Sequence, residues 1–162
     1  MFIFRRVIQT SDAISTFPLT LSRIALGLFF FASGFNKLFV FENQQLMLET
    51  LVDAGIPFPA VMAVFVAFCE CVIGLTLAMG LLTRLSALVL FIISTVALLT
   101  VGLHTIPQGI NLLTWYSWLL YLPETLYMLL CLMLMVYGGT YLSLDGWLAK
   151  KWLNARKIVF VH

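Results

Sequence analysis

The stretch Pro59–Gly80 reads PAVMAVFVAFCECVIGLTLAMG and contains one charged side chain, that of Glu70. A helix of about 20 mostly apolar residues is long enough to cross the hydrocarbon core of a bilayer. The stretch therefore predicts a transmembrane helix. Because a carboxylate at that depth costs about 3 kcal/mol on insertion scales, we expect Glu70 to face protein or water rather than lipid.

Small residues share the helix face of Glu70. Side chains on one side of a helix recur every three or four positions, and the stripe through Glu70 contains Ala60, Ala63, Ala67, Gly74 and Ala78. Interfaces between membrane helices are rich in small residues because these let two backbones approach closely. The stripe predicts that Glu70 points into a close-packed bundle.

The composition of the whole chain is that of an integral membrane protein. Of the 162 residues, 62% are hydrophobic and 10% are charged, and the mean hydropathy is +1.07. An ordinary soluble domain has about 25% charged residues. The net charge of +2 gives no reason to expect nucleic acid. We therefore predict that the lipid bilayer surrounds the protein and that nucleic acid is not a partner.

Apolar stretches along the chain predict an all-α fold, a four-helix transmembrane bundle with short interfacial helices. The predicted spans are Pro18–Phe39, Pro59–Gly80, Leu85–Leu103 and Trp115–Tyr137. Pro18 stands where a helix accepts a proline at its start, and Pro123 with Glu124 interrupts the last span. Residues 40–58 are too polar to cross and predict a short helix that ends near Gly55 and Pro57.

The chain divides into an interfacial segment at 1–16, a four-span bundle at 17–142 and an amphipathic tail at 143–162. Four spans place both termini on the same side as the turn at Arg84, and that side carries most of the lysines and arginines. By the positive-inside rule, both termini are predicted to be cytoplasmic. Ser143 is expected to cap a short helix that continues through Trp152.

Charged side chains within the spans predict a polar core. Aligning the antiparallel helices places Glu70 near the depth of Phe29 and Phe30, with Lys37 about 10 Å towards the outer face and Arg23 about 10 Å towards the cytoplasm. The predicted ligand-binding residues are Glu70, Lys37, Arg23, Glu124, His104 and Tyr121. Two interpretations stay open: the charges form a functional pocket, or they pair to specify the packing of the bundle. No catalytic residue is assigned.

The cysteines do not predict a metal site. Cys69 and Cys71 are two positions apart on a helix and point in nearly opposite directions, so they cannot form a disulfide with each other. Met128, Cys131 and Met135 share a face and are soft ligands suited to copper(I). Because such a stripe in an apolar helix is more often packing, no metal is assigned, and a redox role of the cysteines stays open.

A series of short motifs runs through nearly the entire chain. The series is Arg23-x3-Gly27, Gly34-x2-Lys37-Leu38, Gly55-Ile56-Pro57, Glu70, Gly80-Leu81-Leu82-Thr83-Arg84 and Leu142-Ser143-Leu144-Asp145. In order and spacing it resembles the DoxX/DoxD family of small bacterial and archaeal membrane proteins. The resemblance implies a four-helix bundle in a bacterial cytoplasmic (inner) membrane, with family polar positions at Arg23, Lys37, Glu70 and Arg84. The Gly138-Gly139 pair departs from the Gly-x-Gly that often precedes Ser-Leu-Asp in the family.

The family takes its name from a subunit of an archaeal thiosulfate:quinone oxidoreductase, and relatives are linked to thiol and oxidative-stress systems and to sulfur or metal-peptide operons. The resemblance thus implies a redox-associated subunit whose polar pocket binds a quinone or a similar small molecule. If the chain belongs to an enzyme, that enzyme is a quinone-linked oxidoreductase, with quinone as the candidate cofactor.

The alternative is a non-enzymatic membrane scaffold, chaperone or transport component for a partner at the outer face. The family's distant eukaryotic kin, the surfeit-locus cargo receptors, belong to that class. Both hypotheses accommodate a partner subunit at the outer face, and the sequence leaves open whether the bundle forms a homo-oligomer.

Overall fold

The computed structural model describes the backbone of residues 12–139 and 142–147, and the side chains of residues 17–139 and 142–147. Every regular element in these ranges is helical. The elements are α1 (Asp12–Phe39), α2 (Phe41–Asp53), α3 (Pro59–Met79), α4 (Thr83–Thr100), a 3-10 helix (Gly102–Thr105), α5 (Leu112–Tyr121) and α6 (Pro123–Tyr137). A further helical turn covers residues 144–147. The predictions for residues 1–11 and for the tail beyond residue 147 lie outside the described residues.

The predicted membrane-spanning helices are confirmed. Within the described residues, three helical stretches are each long and apolar enough to cross a membrane: Phe17–Phe39, Pro59–Met79 and Thr83–Thr105. The pair α5 and α6 meets the same criterion only when the two helices are taken together. The chain is therefore a multi-pass membrane protein built as an all-α bundle of three to four spans.

Helix α1 begins earlier than predicted. Its described part starts at Asp12, so Pro18 lies inside the helix rather than at its first position. A proline lacks the N–H that a helix uses at interior positions, and α1 therefore lacks the bond that residue 18 would give to residue 14. The helix continues on both sides of this gap because its other backbone groups still pair.

Helices α1 and α3 pack against each other along most of their length. Glycines make this possible, because a Cβ added to Gly27 would lie 2.5 Å from the backbone N of Ala78, and one added to Gly34 would lie 2.5 Å from the backbone O of Ala67. The predicted close packing of the small-residue face is confirmed from Ala67 to Ala78, whereas Ala60 at the start of that face is exposed. These contacts also fix the register, which determines where Glu70 lies.

The predicted depth of Glu70 is wrong by about one helical turn. Its Cβ lies beside Gly34 and its carboxylate bonds to Ser33, rather than lying level with Phe29 and Phe30. The prediction aligned the ends of the spans. In the folded protein, the positions at which the two backbones touch set the register instead.

The other half of the bundle is formed by α4 and α6. One apolar core joins the two halves, with Leu26 and Phe30 from α1, Leu77 from α3, Leu90 from α4 and Cys131 from α6. Cys131 is fully buried among these side chains. At Cys131, the Met and Cys stripe of the last span is therefore part of the packed core.

The predicted interruption of the last span is a bend of 70° between α5 and α6. Leu122 has extended backbone angles at the bend, and Pro123 has no N–H to continue the helix. Helix α6 then runs beside α4. Just before α6 begins, Leu122 packs on Leu98 of α4, and just after α6 ends, Gly138 lies beside Arg84 of α4. None of the residues of α5 is buried, although Leu119 packs against the cluster that contains Leu98 and Leu122.

The segment after α6 closes the end of the bundle that carries Arg84. The carboxylate of Asp145 accepts hydrogen bonds from the backbone N–H groups of Leu82 (2.8 Å) and Thr83 (2.9 Å). Leu82 has a φ of 49°, a left-handed conformation that is uncommon for a branched residue. Asp145 thus supplies the N-terminal cap of α4, which the residues next to that helix do not provide. Ser143 caps the following turn by accepting a bond from the N–H of Gly146 (3.1 Å).

Candidate functional site

An ion pair joins α1 to α3. The Nζ atom of Lys37 lies 2.8 Å from Oε1 and 2.7 Å from Oε2 of Glu70. The hydroxyl of Ser33 donates a further hydrogen bond to Oε2 at 3.2 Å. The side chain of Glu70 is 6% exposed and that of Lys37 is 27% exposed. The charge of the carboxylate is thus neutralised inside the protein, while the lysine stays accessible.

Local sequence explains why these groups meet. Ser33 and Lys37 are four positions apart on α1, so their side chains lie on one face. Gly34 lies between them and brings the backbone of α3 close to that face. Lys37 also lies in the last turn of α1, where the negative end of the helix dipole stabilises a cation.

A cavity of about 430 Å³ lies beside the ion pair, between α1 and α2. We call it the inner cavity. Its lining residues are Phe29, Ala32, Ser33, Asn36 and Lys37 from α1, and Asn43, Leu46, Met47 and Thr50 from α2. Small-molecule sites have volumes of about 300–1,000 Å³ and combine apolar walls with a few polar groups. The inner cavity has both properties.

A second cavity of about 600 Å³, the outer cavity, lies at the C-terminal end of α2. Its lining residues are Thr50, Asp53, Ala54, Leu99, Thr100, Val101, His104 and Thr105. His104 is exposed here, and it does not line the inner cavity with Lys37. The structure therefore separates these two predicted site residues.

Arg23 lies far from the ion pair and is fully buried. Its guanidinium donates hydrogen bonds to the backbone oxygens of Leu77 (3.1 Å), Ala78 (3.1 Å) and Leu142 (2.7 Å). Along α1, Arg23 is about 21 Å from Lys37. It ties the C-terminal end of α3 to the segment after α6, and it does not approach Glu70.

The remaining predicted site residues also lie away from Lys37. Glu124 lies in the first turn of α6, near Gly102. Tyr121 is 81% exposed at the end of α5, where its ring lies 6.2 Å from that of Trp118. Neither residue lines the inner cavity. Of the six predicted ligand-binding residues, the structure brings together Lys37 and Glu70.

The sequence-based site prediction omitted α2. Asn43, Met47 and Thr50 are separated by four and three positions and so share a helix face, and all three line the inner cavity. That spacing is the sequence signal that could have identified this face of α2. It does not indicate which other helix the face meets, because α2 is amphipathic and short enough to pack in several orientations.

Comparisons with known proteins bear on the first four helices. The family model that matches the chain is described as DoxX, and the match covers residues 19–103. That region contains both partners of the Lys37–Glu70 ion pair and every residue that lines the inner cavity. No curated protein and no solved structure matches the chain. Because the family match covers more than half of the 162 residues, this multi-pass membrane protein belongs to the DoxX family.

Proposed function

We propose that this protein is a redox-associated membrane subunit that binds a quinone in the inner cavity. The observation that supports the proposal is the position of the Lys37–Glu70 ion pair beside a mostly apolar cavity between the membrane span α1 and the short helix α2. A quinone ring requires an apolar slot and hydrogen-bond donors for its carbonyl oxygens. Phe29 and Met47 offer the slot, and Asn36 and Asn43 offer amide donors.

Lys37 is the residue we expect to contact the ligand most directly. A lysine ammonium has three N–H donors, and Glu70 accepts hydrogen bonds from two of them. The third is free to reach a carbonyl oxygen in the cavity. Because Glu70 balances the lysine charge, the pair is neutral overall and suits a neutral ligand in a membrane environment.

This chain binds and orients the quinone, and a partner subunit at the outer face delivers the electrons. The Lys37 end of the bundle then faces outward and both termini are cytoplasmic, in a bacterial inner membrane. The support for this orientation is the concentration of lysines and arginines on the side of Arg84, as the positive-inside rule requires.

The test is the quinone content of protein extracted in native-lipid discs, measured by mass spectrometry per mole of protein. Ala32 is exposed and lines the inner cavity, so Ala32→Phe places a bulky ring at the cavity and leaves the ion pair in place. Ala25 lies seven positions earlier on the same face of α1 and is also exposed, which makes Ala25→Phe the matched control. Since the new ring occupies space that the ligand needs, we expect Ala32→Phe to lower the quinone content about tenfold, which corresponds to about 1.4 kcal/mol of binding free energy.

Wild type and Ala25→Phe are expected to retain the same amount of quinone. Equal quinone content in all three proteins would overturn the proposal, because quinone dissolved in the surrounding lipid is insensitive to the volume of the cavity. If that result came together with a reproducible crosslinked partner at the outer face, the scaffold or chaperone hypothesis would take its place.

A further inference from the structure

Thr50 of α2 lines both the inner and the outer cavity. Its side chain is half-buried rather than enclosed. Its hydroxyl donates to the backbone oxygen of Leu46 at 2.7 Å, which leaves the lone pairs of the hydroxyl oxygen available to accept a hydrogen bond from water. The two cavities therefore meet at a small polar side chain.

One face of α2 covers both cavities. Asn43, Met47, Thr50 and Asp53 follow one another at intervals of four, three and three positions, so they form a continuous stripe along the helix. The first three line the inner cavity, and the last two line the outer cavity. From Asn43 to Asp53 the stripe extends about 15 Å.

Polar side chains stand at both ends of this stripe and at Thr50, and Met47 is its one apolar member. At the outer cavity, the carboxylate of Asp53 and the imidazole of His104 are exposed, and the hydroxyl of Thr105 lies with them. At the inner cavity, the polar groups are the amide of Asn43 and the ammonium of Lys37. Water that enters between these groups finds hydrogen-bond partners at both ends and at Thr50 between them.

We propose that the two cavities form a single aqueous groove beneath α2, which connects the Lys37–Glu70 ion pair to the surface at Asp53 and His104. Water in the groove lets the ion pair exchange protons with the aqueous phase while the other sides of the bundle face lipid. That the groove supplies protons to a bound quinone rests on the proposed function. That the groove exists does not depend on the proposed function.

The test is the reaction of single cysteines with a cationic, membrane-impermeant methanethiosulfonate reagent on protein in lipid discs. The parent carries Cys69→Ala, Cys71→Ala and Cys131→Ala. Reporter cysteines replace Ala32 in the inner cavity and Thr105 in the outer cavity, and Ala25→Cys on the same face of α1 is the control outside both cavities. We expect both reporters to react and Ala25→Cys to react at the background rate.

A plug at the outer cavity then tests whether the groove is continuous. Ala54 lines the outer cavity and does not line the inner one. Ala54→Trp is therefore expected to reduce the rate at which Ala32→Cys reacts with the reagent to that of the Ala25→Cys control. The matched plug Ala60→Trp, at an exposed alanine of α3 outside both cavities, is expected to leave that reaction unchanged.

Two results would overturn the groove. One is no reaction at Ala32→Cys above the control, which would mean that water does not reach the inner cavity. The other is an equally fast reaction with and without Ala54→Trp, which would mean that the inner cavity opens to water by itself. Either result leaves the quinone comparison of Ala32→Phe with Ala25→Phe intact, and failure of that comparison leaves the labelling pattern intact.

Discussion

Asp145 caps a helix that begins 62 positions earlier at Thr83: its Oδ2 atom lies 2.9 Å from the backbone N and 3.0 Å from the hydroxyl oxygen of Thr83. The backbone N–H of Asp145 in turn donates to the oxygen of Gly80 at 3.0 Å. The residues that follow α6 are thereby attached to the turn between α3 and α4. This attachment closes one end of the bundle, although α4, α5 and α6 separate the two groups in sequence.

Replacing Asp145 with alanine is predicted to lower the thermal unfolding temperature. The change leaves two backbone N–H groups and one hydroxyl without their acceptor, and losing an N-terminal cap costs about 0.5–2 kcal/mol. The measurement is thermal unfolding of purified protein in detergent. Asp53→Ala, at an exposed carboxylate, is the control and is expected to unfold at the wild-type temperature. An equal effect of the two substitutions would contradict the capping role.

Replacing Gly34 with alanine is predicted to separate α1 from α3. The new Cβ would lie 2.5 Å from the backbone O of Ala67, and backbone cannot move aside as a side chain can. Overpacking costs about 1–3 kcal/mol and occasionally more, and we expect a value at or above the upper end. The control is Gly102→Ala, whose nearest contact is a flexible leucine methyl group at 3.0 Å. Equal thermal stability of the two variants would show that the helices tolerate a wider spacing.

Replacing Arg23 with lysine is predicted to destabilise the protein although the charge is kept. The guanidinium reaches three backbone oxygens, and an ammonium on a different stem cannot reproduce that planar fork. The oxygen of Leu77 keeps its bond from the N–H of Gly80 (3.0 Å), so the loss falls mainly on the oxygens of Ala78 and Leu142. A hydrogen bond to a charged group contributes about 1.5–3 kcal/mol. Arg84→Lys is the matched control, because Arg84 is exposed and, among the described residues, its one hydrogen bond is a long one to the oxygen of Val136 (3.5 Å). A milder effect at Arg23 than at Arg84 would refute this role.

The two partners of the ion pair are predicted to respond unequally to removal. Lys37→Met leaves the carboxylate of Glu70 with Ser33 alone in a site that is 6% exposed, whereas Glu70→Gln leaves a lysine that is 27% exposed. Breaking a buried pair from one side costs about 3–5 kcal/mol, and we expect Lys37→Met to cost more than Glu70→Gln.

The double variant Lys37→Met/Glu70→Gln gives the internal check for that prediction. It removes both charges, so it should be more stable than Lys37→Met alone in thermal unfolding. If the effects of the two substitutions simply add, the side chains are not coupled, and the hydrogen bonds at 2.7 and 2.8 Å contribute nothing to stability.

Part of this protein follows from sequence alone. Hydropathy and helical period are local properties, so the spans, the short helix α2 and the inward direction of Glu70 were predicted without knowledge of any contact. The break at Pro123 was predicted for the same reason, since a proline acts on the backbone of its own helix.

Tertiary structure decided which polar side chains meet. Ser33 and Lys37 lie opposite Glu70 because glycines at 27 and 34 let two backbones touch at particular points, and span length does not specify those points. Arg23 and His104 fall outside the ion pair as a result of the same register and of the orientation of α2. The inner cavity exists because α2 folds back over α1, and the direction in which α2 leaves the end of α1 is set by packing against the rest of the bundle, which no local pattern encodes.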